Sequence, residues 1–236
     1  MSDPKILVDM DEFHSDKTAL DFTSEIDPNE VGLKVGLSLF MTCGTKIITT
    51  LVKRGFQVFL DLKFNDVPET ITRSVHIAAT LGVWMVSVSA FSSIKGLRSA
   101  RSCLDSLNSH GARTPLLITE IRLPGLDSQE WHEVGLLRHP ENQIQNLAKL
   151  AKKSQSDGIL CNAGDLAIIN KIPDFGNELV FIIPIHGNSF KRMSQGSCTT
   201  RSQSSHIRNK DNCIILMGKE ITHANNPMQA IKKILS

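Results

Sequence analysis

Eight short apolar runs recur along this 236-residue chain, at residues 5–10, 31–35, 57–62, 83–88, 116–120, 158–161, 179–183 and 212–217. Most are near-continuous Val, Ile and Leu. A strand with one wet face alternates apolar and polar residues, whereas a strand covered on both faces does not. The runs therefore predict a parallel sheet buried on both sides. Parallel neighbours need a long crossover, usually a helix, and the gaps supply it. Residues 38–54 carry Leu39, Phe40, Cys43, Ile47 and Leu51 at near-helical spacing, with Gly55 placed to end the helix. Pro68 stands in the first turn of a helix over 69–81, which Gly82 ends. Segments 92–107, 142–154 and 228–235 read the same way. Eight βα units without a long linker predict one α/β domain over residues 1–236, a (β/α)8 TIM barrel, with a doubly wound open sheet as the alternative. At 41% hydrophobic residues the chain can fill such a core. There is no internal repeat beyond the βα rhythm.

Charge and composition exclude several function classes. The formal net charge is +2, so the chain as a whole is not an obvious nucleic-acid binder. Charge is uneven: residues 1–31 hold nine acidic side chains against Lys5 and Lys17, and residues 186–223 are basic. The basic stretch reads as a solvated surface or as a local anion site. It has no aromatic residue except Phe190, so base stacking is not available to it. The cysteines, Cys43, Cys103, Cys161, Cys198 and Cys213, are odd in number, scattered and without a CxxC, which suggests a reducing cytoplasm. The histidines show no HxH or HExxH spacing for a metal. The N-terminus is too acidic for a signal peptide, and no stretch approaches the length of a membrane helix.

One segment breaks the rhythm. Residues 194–205, SQGSCTTRSQSS, contain nine Ser, Thr or Gln in twelve positions. Such a composition reads as a flexible surface loop. It follows the seventh strand, and barrel phosphate sites are often built from the loops after strands seven and eight. Residues 184–211 are accordingly expected to form a flexible phosphate-loop region within the barrel, able to act as a lid.

The chemistry concentrates at one strand end. In VFLDLKFNDVPET, residues 58–70, an apolar strand stops in Asp61, Lys63 and Asp66. Residues two apart on a strand face the same side, so Asp61 and Lys63 project together at the C-terminal mouth, where barrel active sites form. A lone D-x-K is as readily a structural ion pair, with Asp66 as a helix N-cap. The neighbouring strands add Lys34 in LKVG and the carboxylates Asp9 and Asp11. Buried charges are costly unless paired, and alternating lysines and aspartates that satisfy one another mark a candidate site.

The run FLDLKFNDVPET, with LKVG before it and LGVWMV after it, resembles the orotidine 5′-monophosphate decarboxylase family. The similarity runs in order from residue 6 to about residue 165, and more loosely over 214–222. D-x-K-x-x-D alone is shared by a wider superfamily of sugar-phosphate barrels; the extended string is more particular. The resemblance implies cofactor-free decarboxylation of orotidylate to uridylate, with Lys63 as proton donor and Asp61 beside the substrate carboxylate. It implies that Lys34 holds Asp61 and the ribose, and that Asp11 binds a ribose hydroxyl, with Asp9 as the alternative. It implies a homodimer in which Asp66 and Thr70 reach the partner's site, and Gly218 and Lys219 at the phosphate. Metal-dependent relatives use a carboxylate on strand two, where this chain has Lys34, so no metal is expected. A lysine flanked by carboxylates suits an acid better than a Schiff-base nucleophile.

Several recognition positions depart from the family pattern. Ser89-Ala90-Phe91-Ser92-Ser93 stands where a His-Ala and a Gly-rich turn are usual, and Pro124-Gly125, after Arg122, where a Thr-Ser pair is usual. Pro184-Ile185-His186-Gly187 replaces Pro-Gly-Ile-Arg, and Gly218-Lys219 replaces a Gly-Arg pair, losing the bidentate fork of arginine. Gln195 or Gln203 is a candidate phosphate contact, as is His186. The alternative to a working decarboxylase is a divergent barrel, non-catalytic or altered in specificity, that binds a nucleotide or sugar phosphate.

Overall fold

The computed structural model describes residues 3–121, 130, 133, 135, 140–173, 175–176, 178–185 and 212–235. Arg122, Pro124, Gly125, His186, Gly187, Gln195, Gln203 and almost all of the 184–211 region lie outside the described residues.

Eight parallel strands close in chain order: β1 (Ile6–Asp9), β2 (Gly32–Gly36), β3 (Val58–Phe64), β4 (Met85–Ser89), β5 (Leu116–Glu120), β6 (Gly158–Leu160), β7 (Val180–Pro184) and β8 (Cys213–Met217). β8 pairs with β1 through Leu7↔Leu216, which completes the barrel and rules out the open sheet. The helices are α1 (Asp16–Thr23), α2 (Leu37–Lys53), α3 (Pro68–Thr80), α4 (Ser93–Ser109), α5 (Pro140–Lys153), α6 (Ala163–Ile169), α7 (Lys219–Thr222) and α8 (Pro227–Leu235). No helix among the described residues is long and apolar enough to cross a membrane.

The near-continuous apolar strands feed two cores. Outward residues such as Ile6, Val8, Leu33, Val35, Val58 and Leu60 pack beneath the helices. Inward residues, among them Leu7, Phe59, Met85, Ile118, Leu160 and Ile182, fill the barrel. Space inside is limited. A Cβ on Gly158 would stand 2.6 Å from the Val180 carbonyl oxygen, so only glycine fits that inward position.

The predicted helix over 38–54 appears as α2 but is broken at Gly44, whose φ of +63° is in the region glycine adopts without a Cβ clash. The helix after Pro68 starts on the proline itself. Its N-cap is Val67 without a side-chain cap bond, so Asp66 does not cap it. Two helices escaped the periodicity reading, α1 and α6, because each is too short to display it. Local capping marks both: Ser15 accepts from Thr18 in α1, and Asn162 and Asp165 form a capping box in α6.

Candidate active site

Following the inward positions along each strand shows how the site is built. On β1, Leu7 is followed two residues later by Asp9; on β2, Gly32 by Lys34; on β3, Phe59 by Asp61 and Lys63; on β5, Ile118 by Glu120. The interior column is apolar at one end of the barrel and charged at the C-terminal mouth. Four strands thereby deliver five charged side chains to one place.

Lys34 is the hub. Its Nζ lies 2.8 Å from Asp11 Oδ2, 3.2 Å from Asp9 Oδ1 and 3.9 Å from Asp61 Oδ2. Burial pulls its ionisation down, but Asp9, Asp61 and Asp11 together outweigh burial and hold the ammonium above the ordinary lysine value. An ammonium thus stands where three carboxylates converge. The two candidate ribose ligands differ in what else they do. Asp11 Oδ1 accepts the backbone N–H groups of Gly36 (2.9 Å) and Leu39 (3.3 Å), so it caps α2, whose N-cap residue Gly36 has no side chain to do so. Asp9 accepts two bonds from Lys34 at 3.2 Å and one from the Asp11 amide at 3.0 Å. The insertion after β1 therefore brings Asp11 back onto Lys34 without displacing Asp9.

Lys63 completes the cluster. Its Nζ is 3.6 Å from Asp61 Oδ2 and 2.6 Å from Glu120 Oε1. Its backbone is unusual: φ is +50°, a left-handed conformation that costs a non-glycine residue about 1–2 kcal/mol. The pairing of β3 with β4 also shifts there, from Leu60↔Val86 to Phe64↔Val88, so the extra β3 residues bulge out of the ladder. The fully buried Ser87 of β4 accepts the Lys63 N–H at 2.8 Å and satisfies the amide that the bulge frees. Strained backbone of this kind gathers at functional sites. Asp61 Oδ1 is buried and has no hydrogen-bond partner among the described residues, an exception that calls for a role.

Glu120 was not among the residues singled out from sequence. The signal was present: it is the acid that ends an otherwise apolar strand, two residues after Ile118. It is 5% exposed, and burial pushes its carboxyl above the usual range even though the Lys63 ammonium pulls it down.

The other expected site residues stand apart from Lys63. Asp66 is exposed in the β3–α3 loop, with Oδ1 on the Val67 amide at 2.6 Å. Thr70 is half-buried in the first turn of α3. Gly218 is the N-cap of α7 at the end of β8, where an added Cβ would lie 3.5 Å from Asp9 Cβ; Lys219 follows it and is exposed. Ser89 and Ser92, after β4, are turned onto their own backbone, Ser89 Oγ accepting the Phe91 amide and Ser92 donating to the Ser89 carbonyl.

Comparison with known proteins agrees with this geometry. Residues 5–234 match the family model described as orotidine 5′-phosphate decarboxylase / HUMPS family. The orotidine 5′-phosphate decarboxylase of Legionella pneumophila (strain Philadelphia 1) is 34% identical over 233 residues, covering 98% of each chain. That of Saccharophagus degradans is 32% identical over 232 residues, covering 98% of this chain and 94% of its own. Among solved structures, orotidine 5′-phosphate decarboxylase from Lactobacillus acidophilus has the same fold, with a TM-score of 0.84 at 24% identity over 99% of this chain and 98% of that one. The Methanocaldococcus jannaschii orotidine 5′-monophosphate decarboxylase, complexed with inhibitor BMP, gives a TM-score of 0.73 at 20% identity over 99% and 97%.

Proposed function

The chain belongs to the orotidine 5′-phosphate decarboxylase / HUMPS family, and on that premise we propose that it is a carboxy-lyase that converts orotidylate to uridylate, with Lys63 as the proton donor. The observation that carries this reading is the placement of the Lys63 ammonium at the barrel mouth, 3.6 Å from Asp61, beside the Lys34 hub.

The chemistry explains the charges. When the bond between C6 of the orotate ring and its carboxylate breaks, carbon dioxide leaves and the electron pair stays on C6. No neighbouring carbonyl takes up that charge. The barrier reduction required is toward the top of the enzymic range, about 23 kcal/mol. Asp61, held by Lys34 on one side and Lys63 on the other, disfavours a second carboxylate close by. Lys63 favours charge developing at C6 and then transfers a proton from Nζ to that carbon. Both effects are larger in the transition state than in the bound ground state, which is the condition for acceleration. The unpartnered Asp61 Oδ1 suits this role, because its charge is not neutralised by a local donor. Asp9 and Asp11, fixed on Lys34, take the ribose, while Gly218, Lys219 and the 184–211 region take the phosphate.

The active form is proposed to be a homodimer. Asp66 and Thr70 lie on the outer side of the β3–α3 connection, away from their own chain's Lys63. Near them Val67 is 58% exposed, and on α2 Leu37 and Met41 are 62% and 74% exposed, an apolar surface costly to leave in water. A second copy covering it would receive Asp66 and Thr70 in its own site. A monomer in sedimentation velocity at assay concentration counts against this. A cytoplasmic location fits Cys43, Cys103, Cys161 and Cys213, none of which forms a disulfide among the described residues.

The direct test is the loss of orotate absorbance when orotidylate is added. Wild-type protein turns it over, and Lys63→Ala abolishes turnover while still binding uridylate. Tight uridylate binding by wild-type protein without any turnover refutes the reading and identifies a non-catalytic barrel.

A further inference from the structure

We propose that Glu120 is a positioning residue whose carboxylate fixes where the Lys63 ammonium stands. The inference rests on Lys63 being the proton donor and adds a residue that acts through it. Glu120 approaches from β5, while Asp61 shares β3 with Lys63. The ammonium sits 2.6 Å from Glu120 but 3.6 Å from Asp61, so the nearer and stronger partner is Glu120. A lysine side chain on four methylenes loses much freedom when held in one place. Here it is fixed at both ends, by Ser87 on the backbone amide and by Glu120 on the ammonium. The remaining charges that face the ammonium are Asp61 of β3 and, behind it, Lys34 of β2.

Packing alone does not account for this glutamate. The inward positions before it on β5 are Leu116 and Ile118, and an apolar residue would extend that column without desolvating a charge. A carboxylate at 5% exposure is a cost to the fold that its bond to Lys63 offsets only in part. What the cost secures is geometric. Without Glu120 the ammonium is drawn toward Asp61, closer to the carboxylate it is meant to oppose a second anion with. With Glu120 it stands across the mouth between β3 and β5. Reaction rates fall steeply when a reacting group is misplaced by an ångström.

The test compares Glu120→Gln, which keeps shape and an acceptor oxygen but removes the charge, with Glu120→Asp, which keeps the charge and shortens the reach. Folding is checked by circular dichroism, and kcat and KM for orotidylate are measured separately. A charge-assisted bond to the proton donor predicts that Glu120→Gln lowers kcat about 10- to 100-fold with KM within about threefold. Glu120→Asp, unable to close the short contact, also lowers kcat at unchanged KM and serves alone if the glutamine variant does not fold. A folded variant with wild-type kcat overturns the proposal, as does a loss confined to KM. A second readout is independent of turnover: the Lys63 ammonium resonance of 15N-lysine-labelled protein, whose proton exchange with water accelerates in Glu120→Gln. If wild-type protein fails to turn over orotidylate while this acceleration is seen, the decarboxylase reading falls and the positioning stands. If exchange is unchanged, the positioning falls whatever the activity.

Discussion

Replacing Lys34 by Met removes the cation from the centre of the charged cluster while keeping an unbranched side chain of similar size, so the cavity contribution is small. Three carboxylates then lose an ammonium that stood 2.8, 3.2 and 3.9 Å away. Removing one member of a buried ion pair costs about 3–5 kcal/mol, because the other is left uncompensated. The three carboxylates share that cost unequally. Asp9 and Asp11 side chains are 26% and 28% exposed and can regain water, and Asp11 keeps the Gly36 and Leu39 amides. Asp61, at 3% exposure, retains only Lys63 at 3.6 Å. The loss therefore falls at the lower end, about 3 kcal/mol, which for a chain of this size lowers the Tm by about 6–12 °C. Urea unfolding at neutral pH should show the same loss in midpoint with an unchanged m-value. The pH dependence fixes the cause. The folded-state pKa of Lys34 lies above its unfolded value, so its contribution is fully present below the unfolded value, about 10.4, and fades as pH rises through the higher folded value. The gap between wild type and variant should thus hold from neutral to mildly alkaline pH and narrow only in strong alkali. A Lys34→Met protein that melts within a degree or two of wild type, or above it, refutes the view that this ammonium holds the carboxylates together.

Gly36→Ala places a Cβ against the Asp11 carboxylate and 2.6 Å from Lys34 Nζ; it should cost about 1–3 kcal/mol in urea unfolding and lower turnover with it, and an alanine variant with both unchanged argues against a tightly packed hub. If Asp66 serves the partner's site, mixing inactive Lys63→Ala with inactive Asp66→Asn under subunit exchange restores orotidylate turnover, because one site in each mixed dimer receives both intact residues. Persistent inactivity, with mixed dimers shown to form, removes that assignment.

Much of the barrel was legible because buried parallel strands need unbroken apolar runs, and such runs survive in sequence without any knowledge of neighbours. Lys34, Asp61 and Lys63 were legible for the converse reason: a charge inside such a run is conspicuous. Glu120 was overlooked because it ends its run and reads as the start of a loop. Only the inward register through Ile118 identifies it, and its partner Lys63 is 57 residues away in the chain. Asp9 and Asp11 could not be separated from sequence, since the difference lies in which backbone amides each accepts. The short helices α1 and α6 depend on capping residues rather than on a periodic face.

The order of residues alone determined that strands would be buried on both faces, that charges would sit at their C-terminal ends, and that β3 would carry Asp61 and Lys63 on one side, because backbone period and hydrophobicity are local properties. Tertiary structure decided which charges meet. Closing the sheet brought Lys34 among Asp9, Asp11 and Asp61, and the bulge opposite Ser87 turned Lys63 toward Glu120 of β5. Such pairings are set by distances between strands, and a one-dimensional pattern does not contain them.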